Sequence, residues 1–422
     1  MFCLCPLCCI FTPTSTNTLK AVTCWPLSLH NVILVIITFI APLVTYRYKF
    51  TKKGVDGYYG LPIKKNTLFL TEYTFMALYT LLPWLLNLVL ALSIYTIRGG
   101  YLSTQGILNY TLLSIAFYFI LTSVNTWILS KANNYIDALI LLSAYSLLPF
   151  IAYFASYVFL QNHLYGASAG NFIGVFALSP INEYLTTTFS LVSSMSIQNT
   201  QLMYQFSFKP LILYIIIGLV TFIAAYTNFK NHKGESAEQL SNDFFAYPFI
   251  IGSYTFTLLL AFAPSNFGIT DTILAYIIIF ACVIIASFIY QRKIVFPKKA
   301  ITFYVIGVLF MCILGITANT TDCFGLNKVY PTITNRAQYN GIENPATDEP
   351  IYISCDTSDP TTIQELQEFQ QSLNNHKFKG NISHGYLSIS YDSGEYYYYY
   401  LTEQQSQEAL TLLHKQGCSI QK

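Results

Sequence analysis

The chain has 422 residues, of which 54% are hydrophobic, 16% aromatic and only 10% charged. A soluble domain carries about a quarter charged residues, so this composition excludes an ordinary soluble globule. The net charge is +2 and no stretch is strongly basic, which argues against a nucleic acid partner. Charges are scarce from Thr67 to Thr227 and clustered elsewhere. That is the distribution of a polytopic membrane protein, in which about 20 apolar residues cross a hydrocarbon core of about 30 Å.

Residues 1–28 form an apolar N-terminal leader, with the character of a span remnant. Cys3, Cys5, Cys8 and Cys9 form a CxCxxCC cluster open to metal binding or acylation, but no His or second Cys pair stands beside it at zinc spacing. The leader has no basic n-region and no cleavage site, so a signal peptide is not expected. Apolar runs then follow near 29–46, 69–97, 106–129, 135–160, 210–228, 246–265, 271–291 and 301–318. They are continuous rather than alternating, and a lone segment in lipid satisfies its backbone only as a helix. The fold class read from these runs is an α-helical polytopic membrane protein of about eight transmembrane helices, spanning 29–318. A small α+β extracytoplasmic domain follows over 319–422.

Basic residues give the orientation. Loops 47–68, 130–135, 228–245 and 292–300 contain 13 Lys and Arg, whereas the opposite segments contain Lys20, Arg98 and Lys209. The positive-inside rule places the first set in the cytoplasm and both termini outside. Few charges enter the spans. Glu72 and Asp137 sit near the expected cytoplasmic ends, where a carboxylate is tolerated, so an ion-coupled transporter is disfavoured. Pro83 and Asn87 mark either a kink with a polar lining or a tolerated proline beside a hydrogen-bonded amide. The outer segment 161–209 contains Gly170–Leu178 and Tyr184–Ser196, read as a re-entrant or interfacial pair or as a plain loop.

After Ala318 the composition turns acidic, with twelve Asp and Glu against six Lys and Arg over 319–422. Ile351–Cys355 reads as a strand. Asp359-Pro360 opens a helix that continues through Gln371. Tyr386–Tyr391 and Tyr396–Thr402 flank Asp392-Ser393-Gly394-Glu395 as a hairpin, with the tyrosine run read as a two-faced strand rather than a ligand platform. A last helix runs from about Glu403 to Gln416, with Gly417 as its cap. Cys323 and Cys355 form a possible disulfide pair that leaves Cys418 odd, a connectivity the sequence does not establish.

No P-loop or HExxH is present, so no ATP site of that kind and no clustered catalytic groups are expected. Three ordered segments carry a resemblance instead. The first is Tyr46-Arg47-Tyr48, Val55-Asp56, Tyr58-Tyr59, Leu61-Pro62-Ile63-Lys64-Lys65 and Leu68-Phe69. The second is Lys233-Gly234-Glu235-Ser236-Ala237, and the third is Asp322, Gly325 and Val329-Tyr330-Pro331. Together they resemble a bacterial family of ATP-binding-cassette (ABC) transporter permeases of the type-2 export class. Glu238 stands where that family has glycine, and Gly60 where it has serine.

The resemblance implies a non-catalytic permease subunit in the bacterial plasma membrane. It would bind no cofactor itself and would pair with a second permease copy and a separate cytoplasmic ATPase that holds ATP. Asp56, Tyr59, Leu61, Pro62, Ile63, Lys64 and Lys65 would form the ATPase-coupling loop. Leu61 and Ile63 would be the apolar anchors and Pro62 the turn. Glu235, Ser236 and Ala237 would mark a second cytoplasmic loop, with Glu235 solvated or facing the ATPase rather than catalytic. Asp322, Gly325 and Pro331 would open the external domain. The alternative reading is a membrane-anchored sensor or scaffold without transport.

Overall fold

The computed structural model describes residues 19–97, 104–163, 179–195, 208–232, 234–241, 243–264, 269–291, 297–321, 323–324, 336–342, 350–355, 365, 368–369, 372–373, 385–390, 396–415 and 419–421. Its helices are α1 (Leu19–Thr45), a short α2 (Lys52–Tyr59), α3 (Lys65–Ile97), α4 (Thr104–Ser130), α5 (Tyr135–His163), α6 (Pro180–Met195), α7 (Phe208–Asn231), α8 (Tyr247–Ala261), α9 (Ile269–Gln291) and α10 (Lys298–Thr320). Every run expected to span falls on one of these helices. Six of them (α3, α4, α5, α7, α9 and α10) are long and apolar enough to cross a bilayer; the apolar part of α1, Leu29–Thr45, and α8 are shorter. Leu82, Leu86, Val89, Ile216, Leu219, Ile306, Leu309 and Ile313 are among many large apolar side chains left exposed. Water would penalise such a surface and lipid would not. The protein is a membrane-embedded, multi-pass helical protein.

Polar residues inside the helices are satisfied locally. Thr80, Thr122, Thr126 and Ser146 each donate to the carbonyl four residues earlier, at 2.6–2.7 Å. Pro83 lies inside α3, and Asn87 Nδ2 donates to its carbonyl at 2.8 Å. The hydrogen-bonded amide, not an open polar lining, is what this pair forms.

The chain divides into two compact units, residues 1–149 with 176–250, and 150–175 with 251–422. In the first, α4 is central: two thirds of its span is buried, against a third or less for the other long apolar helices. It packs most extensively on α7. Gly218 permits that approach, because a Cβ there would lie 3.2 Å from Ile120 Cα. Asn125 of α4 donates to the Thr38 carbonyl of α1 at 2.8 Å, and Tyr73 of α3 bonds Ser123 at 2.9 Å. α6 packs on α1 and α4, with Tyr184, Leu191 and Val192 buried. The stretch Tyr184–Ser196 is therefore helical through Met195 and integral to the bundle core, not a plain loop; Gly170–Leu178 lies outside the described residues.

In the second unit, Phe159, Leu259, Val283, Tyr304 and Met311 form one apolar core. At one end of that core the Pro264 carbonyl is met by Asn319 Nδ2 and His163 Nε2, both at 3.2 Å. Five antiparallel strands follow: β1 (Arg336–Ile342), β2 (Pro350–Cys355), β3 (Gly385–Ser390), β4 (Tyr396–Leu401) and β5 (Ser419–Gln421), in the order β4-β3-β1-β2-β5. β3 and β4 pair with Ser390 opposite Tyr396. Helix α11 (Glu403–Lys415) opens on a reciprocal cap: Thr402 N–H donates to Gln405 Oε1 at 3.0 Å, and Gln405 N–H to Thr402 Oγ1 at 3.3 Å. It packs on β1, β3 and β4 and buries Ala409, Leu410 and Leu413. Tyr399 of the tyrosine run is also buried. Glu365, Glu368, Phe369, Ser372 and Leu373 are helical. The Asp359-Pro360 start, the Gly417 cap, the N-terminal cysteine cluster and the Cys355 side chain lie outside what is described.

The close α4–α7 packing yields the first prediction. Gly218→Leu drives a side chain into the α4 backbone and should lower unfolding stability in detergent by about 1–3 kcal/mol. Gly252→Ala meets only the Phe303 ring, at 3.4 Å, and should leave the transition unmoved.

Candidate functional site

The segment between α1 and α3 builds a rigid base and an exposed tip. The chain leaves α1 at Tyr46 and turns through a 3-10 helix, Arg47–Phe50. Tyr46, Tyr48, Lys49 and Phe50 are all buried. Thr51 caps α2, accepting from Gly54 N–H at 3.2 Å. Gly54 is required at this turn, since a Cβ would stand 2.5 Å from the Tyr48 carbonyl oxygen. The Tyr48 ring stacks on Tyr58 with centroids 4.0 Å apart. Burial, reinforced by the Glu72 charge, holds the Tyr48 phenol well above its ordinary pKa.

Lys49 is wholly buried. Its ammonium donates to the carbonyls of Leu129, Ser130 and Ala132 at 3.1, 2.7 and 3.0 Å. Three donors thus meet the carbonyls at the C-terminal end of α4, where the helix dipole favours a cation. The ammonium also lies 5.2 Å from the Phe229 ring centroid. Burial pulls its pKa down to about 7; Lys131 acts in the same direction and Asp243 against it. Lys131 itself pairs with Asp243 at 2.7 Å.

A second set of bonds ties this segment to the turn after α7. Tyr59 Oη lies 3.2 Å from His232 Nδ1, and Ser236 Oγ lies 3.2 Å from His232 Nε2. Lys65 Nζ donates to the His232 carbonyl at 2.8 Å and sits 4.2 Å from the Tyr59 ring centroid. Lys52 N–H donates to Glu238 Oε1 at 3.2 Å, and Glu238 N–H to the Asn133 carbonyl at 2.9 Å. Three of the four basic loops, 47–68, 130–135 and 228–245, therefore meet on one side of the bundle. Glu238 has φ 65°, the left-handed region that favours glycine.

No protein-family model, curated protein or solved structure matches this chain.

Of the residues picked from the sequence, Tyr59, Lys65 and Ser236 are brought together through His232. Ala237 is fully buried behind them and Glu235 is exposed on the 3-10 turn Gly234–Ser236. Asp56, Leu61, Pro62, Ile63 and Lys64 all stand exposed, with Leu61 at 44% and Ile63 at 49%. The tip is a tight turn in which Ile63 N–H reaches the Leu61 carbonyl at 2.7 Å. Asp322, Gly325 and Pro331, and likewise Lys233, Arg292 and Lys293, lie outside the described residues. Sequence reasoning counted Lys49 only as a loop charge and passed over His232; neither has a local pattern that marks it as a tie between loops.

His232 has its pKa lowered to about 3, first by burial and then by Lys49 and Lys65. Its unfolded pKa is about 6.5. Between pH 6.5 and 3 the unfolded chain takes up a proton that the folded site refuses, so stability falls on acidification. From His232 alone, unfolding in detergent should lose about 1–2 kcal/mol between pH 6.5 and 5, and His232→Asn should remove that contribution to the slope. Lys49→Met should cost about 2–3 kcal/mol by stripping the α4 carbonyls of their donor, whereas Lys52→Met, on an exposed side chain, should be near neutral.

Proposed function

We propose that this chain is the transmembrane permease subunit of an ATP-driven exporter of the type-2 ABC class. In this reading the 47–68 loop faces the cytoplasm and docks on a separate ATPase, which holds the ATP. A second permease copy completes the membrane part, in a bacterial plasma membrane, and the chain itself performs no catalysis. The α+β segment 319–422 is an extracytoplasmic domain entered through Asp322, Gly325 and Pro331.

The observation that carries this reading is the pairing of an exposed apolar tip with an immobilised base. Leu61, Pro62 and Ile63 are exposed, flanked by exposed Asp56 and Lys64. An apolar anchor with a charged rim is the anatomy of a small docking contact. Were the segment only an anchor at the lipid headgroups, its base would have no need of hydrogen bonds to two other loops. Here a push on the tip passes through Tyr59 and Lys65 to His232 and Ser236, and through Lys49 to the end of α4. The left-handed φ at Glu238 fits the resemblance as well, since the family has glycine at that position.

The experiment is purification of the intact protein from its native membrane, followed by reconstitution of whatever ATPase accompanies it. Leu61→Asp and Pro62→Ala should leave the chain inserted but lower ATP-dependent flux by about tenfold or more, the cost of losing an anchor residue. Wild-type coupling in both variants rejects the docking role. Absence of any ATPase together with a signalling partner favours the sensor or scaffold reading.

A further inference from the structure

Inside the first unit, well away from the loops, five helices converge on a polar and aromatic cluster. His30 and Asn31 come from α1, Trp84 from α3, Tyr110 from α4, Tyr184 from α6 and Tyr214 from α7; none is more than 2% exposed. Counted along α1, α3, α4 and α7, these residues lie about 20–30 Å from the helix ends that carry the 47–64 and 232–238 segments. They belong to the far half of the bundle.

The hydrogen bonding of the cluster is lopsided. Asn31 Oδ1 accepts from the hydroxyls of Tyr110 at 2.5 Å and Tyr184 at 3.2 Å, and the Tyr184 hydroxyl also lies 3.3 Å from Ser114 Oγ. The acceptor half of the amide is thereby used. Among the described residues its donor half, Nδ2, has no partner, and neither do Trp84 Nε1, His30 Nε2 and the Tyr214 hydroxyl. The His30 ring stacks on Trp84 with centroids 4.6 Å apart, and Trp84 on Tyr110 at 6.5 Å. Phe117 links Tyr184 to Tyr214, with centroids 5.4 and 5.8 Å away. Buried polar atoms in native proteins are almost always paired, and four left open in one cluster ask for a partner.

We propose that this cluster is an internal binding site for a neutral, carbonyl-bearing molecule with an apolar body, an amide or an ester. The amide and indole nitrogens are obligate donors, so the ligand must bring acceptors. Unpaired donors repel a cation. Glu183, next to Tyr184, acts electrostatically on Tyr214 and disfavours an anion. Leu27, Leu34 and Leu88 supply the apolar wall. The site deepens the transport reading, and rests on it, only in taking this ligand as the cargo; binding itself requires no ATPase.

The test uses the full chain in detergent with Trp25→Phe and Trp127→Phe, which leaves Trp84 as the sole tryptophan. Its emission is followed during titration with N-acetyl-leucyl-leucinamide, with the corresponding free carboxylate, and with dioctanoylglycerol as the ester. A saturable shift is expected with the neutral amide or the ester, the arm that responds separating a peptide-like from a lipid-like ligand. Binding should weaken about tenfold or more for the carboxylate and in Asn31→Leu. Tyr214→Phe removes a single oxygen, keeps the ring, and should weaken binding in the same direction. No saturable response in either neutral arm, or a response indifferent to both substitutions, overturns the proposal and leaves the cluster as a place for buried water. That outcome does not touch loop docking, which is read from flux and ATP hydrolysis.

Discussion

A lysine side chain with no exposed surface must find acceptors for its three N–H groups or lose its charge. Lys49 finds them at the end of α4, on the carbonyls of Leu129, Ser130 and Ala132. One residue thus answers two needs: the last carbonyls of the central helix gain a donor, and the segment leaving α1 is fixed to the middle of the bundle. Everything distal to it inherits that fixity, from the Thr51 cap and α2 to the Leu61-Pro62-Ile63 turn. A tip carried on such a base moves with α4 rather than independently of it.

The same logic recurs at His232, with opposite electrostatics. A neutral imidazole accepts at one nitrogen and donates at the other, which suits hydroxyl partners at Tyr59 and Ser236. Burial first, and then Lys49 and Lys65 nearby, hold it uncharged. Hydroxyls, carbonyls and a neutral ring therefore join the loops where an ion pair would carry a larger desolvation cost. The one described ion pair, Lys131 with Asp243, sits where its aspartate is partly exposed.

In the lipid-facing bundle the apolar surface supplies no discrimination between neighbours, since lipid tails are as apolar as leucine. Close backbone approach and hydrogen bonding do that work. Gly218 against Ile120, Asn125 on Thr38, Tyr73 on Ser123 and Tyr184 against Asn31 and Ser114 select which helices lie side by side. The cluster around Asn31 and Trp84 departs from this economy, because it carries more donors than the helices answer. The proposed transport function would give that excess a use, with the proposed docking loop at one end of the helices and a polar interior toward the other.

Span positions were legible because the requirement is one-dimensional: enough consecutive apolar residues, read directly from composition. Strand β4 was legible as one arm of a hairpin flanking Asp392-Ser393-Gly394-Glu395, and helix α11 as the segment that follows it. Strand β1 was missed. Its Asn340-Gly341 pair reads as a turn, yet it lies between two neighbours, paired with β2 and β3 at once. The exposed tip of the loop could be named from Leu61, Pro62 and Ile63; its base could not. Lys49 is 80 residues or more from the carbonyls it binds, and Tyr59 is 173 residues from His232. By itself the sequence determined the class of protein, the placement of the apolar helices and the loop residues available for contact. Tertiary structure alone decided which loops are joined, that Lys49 is inside rather than outside, and that α6 belongs to the core, because each depends on partners that only packing brings within hydrogen-bonding distance.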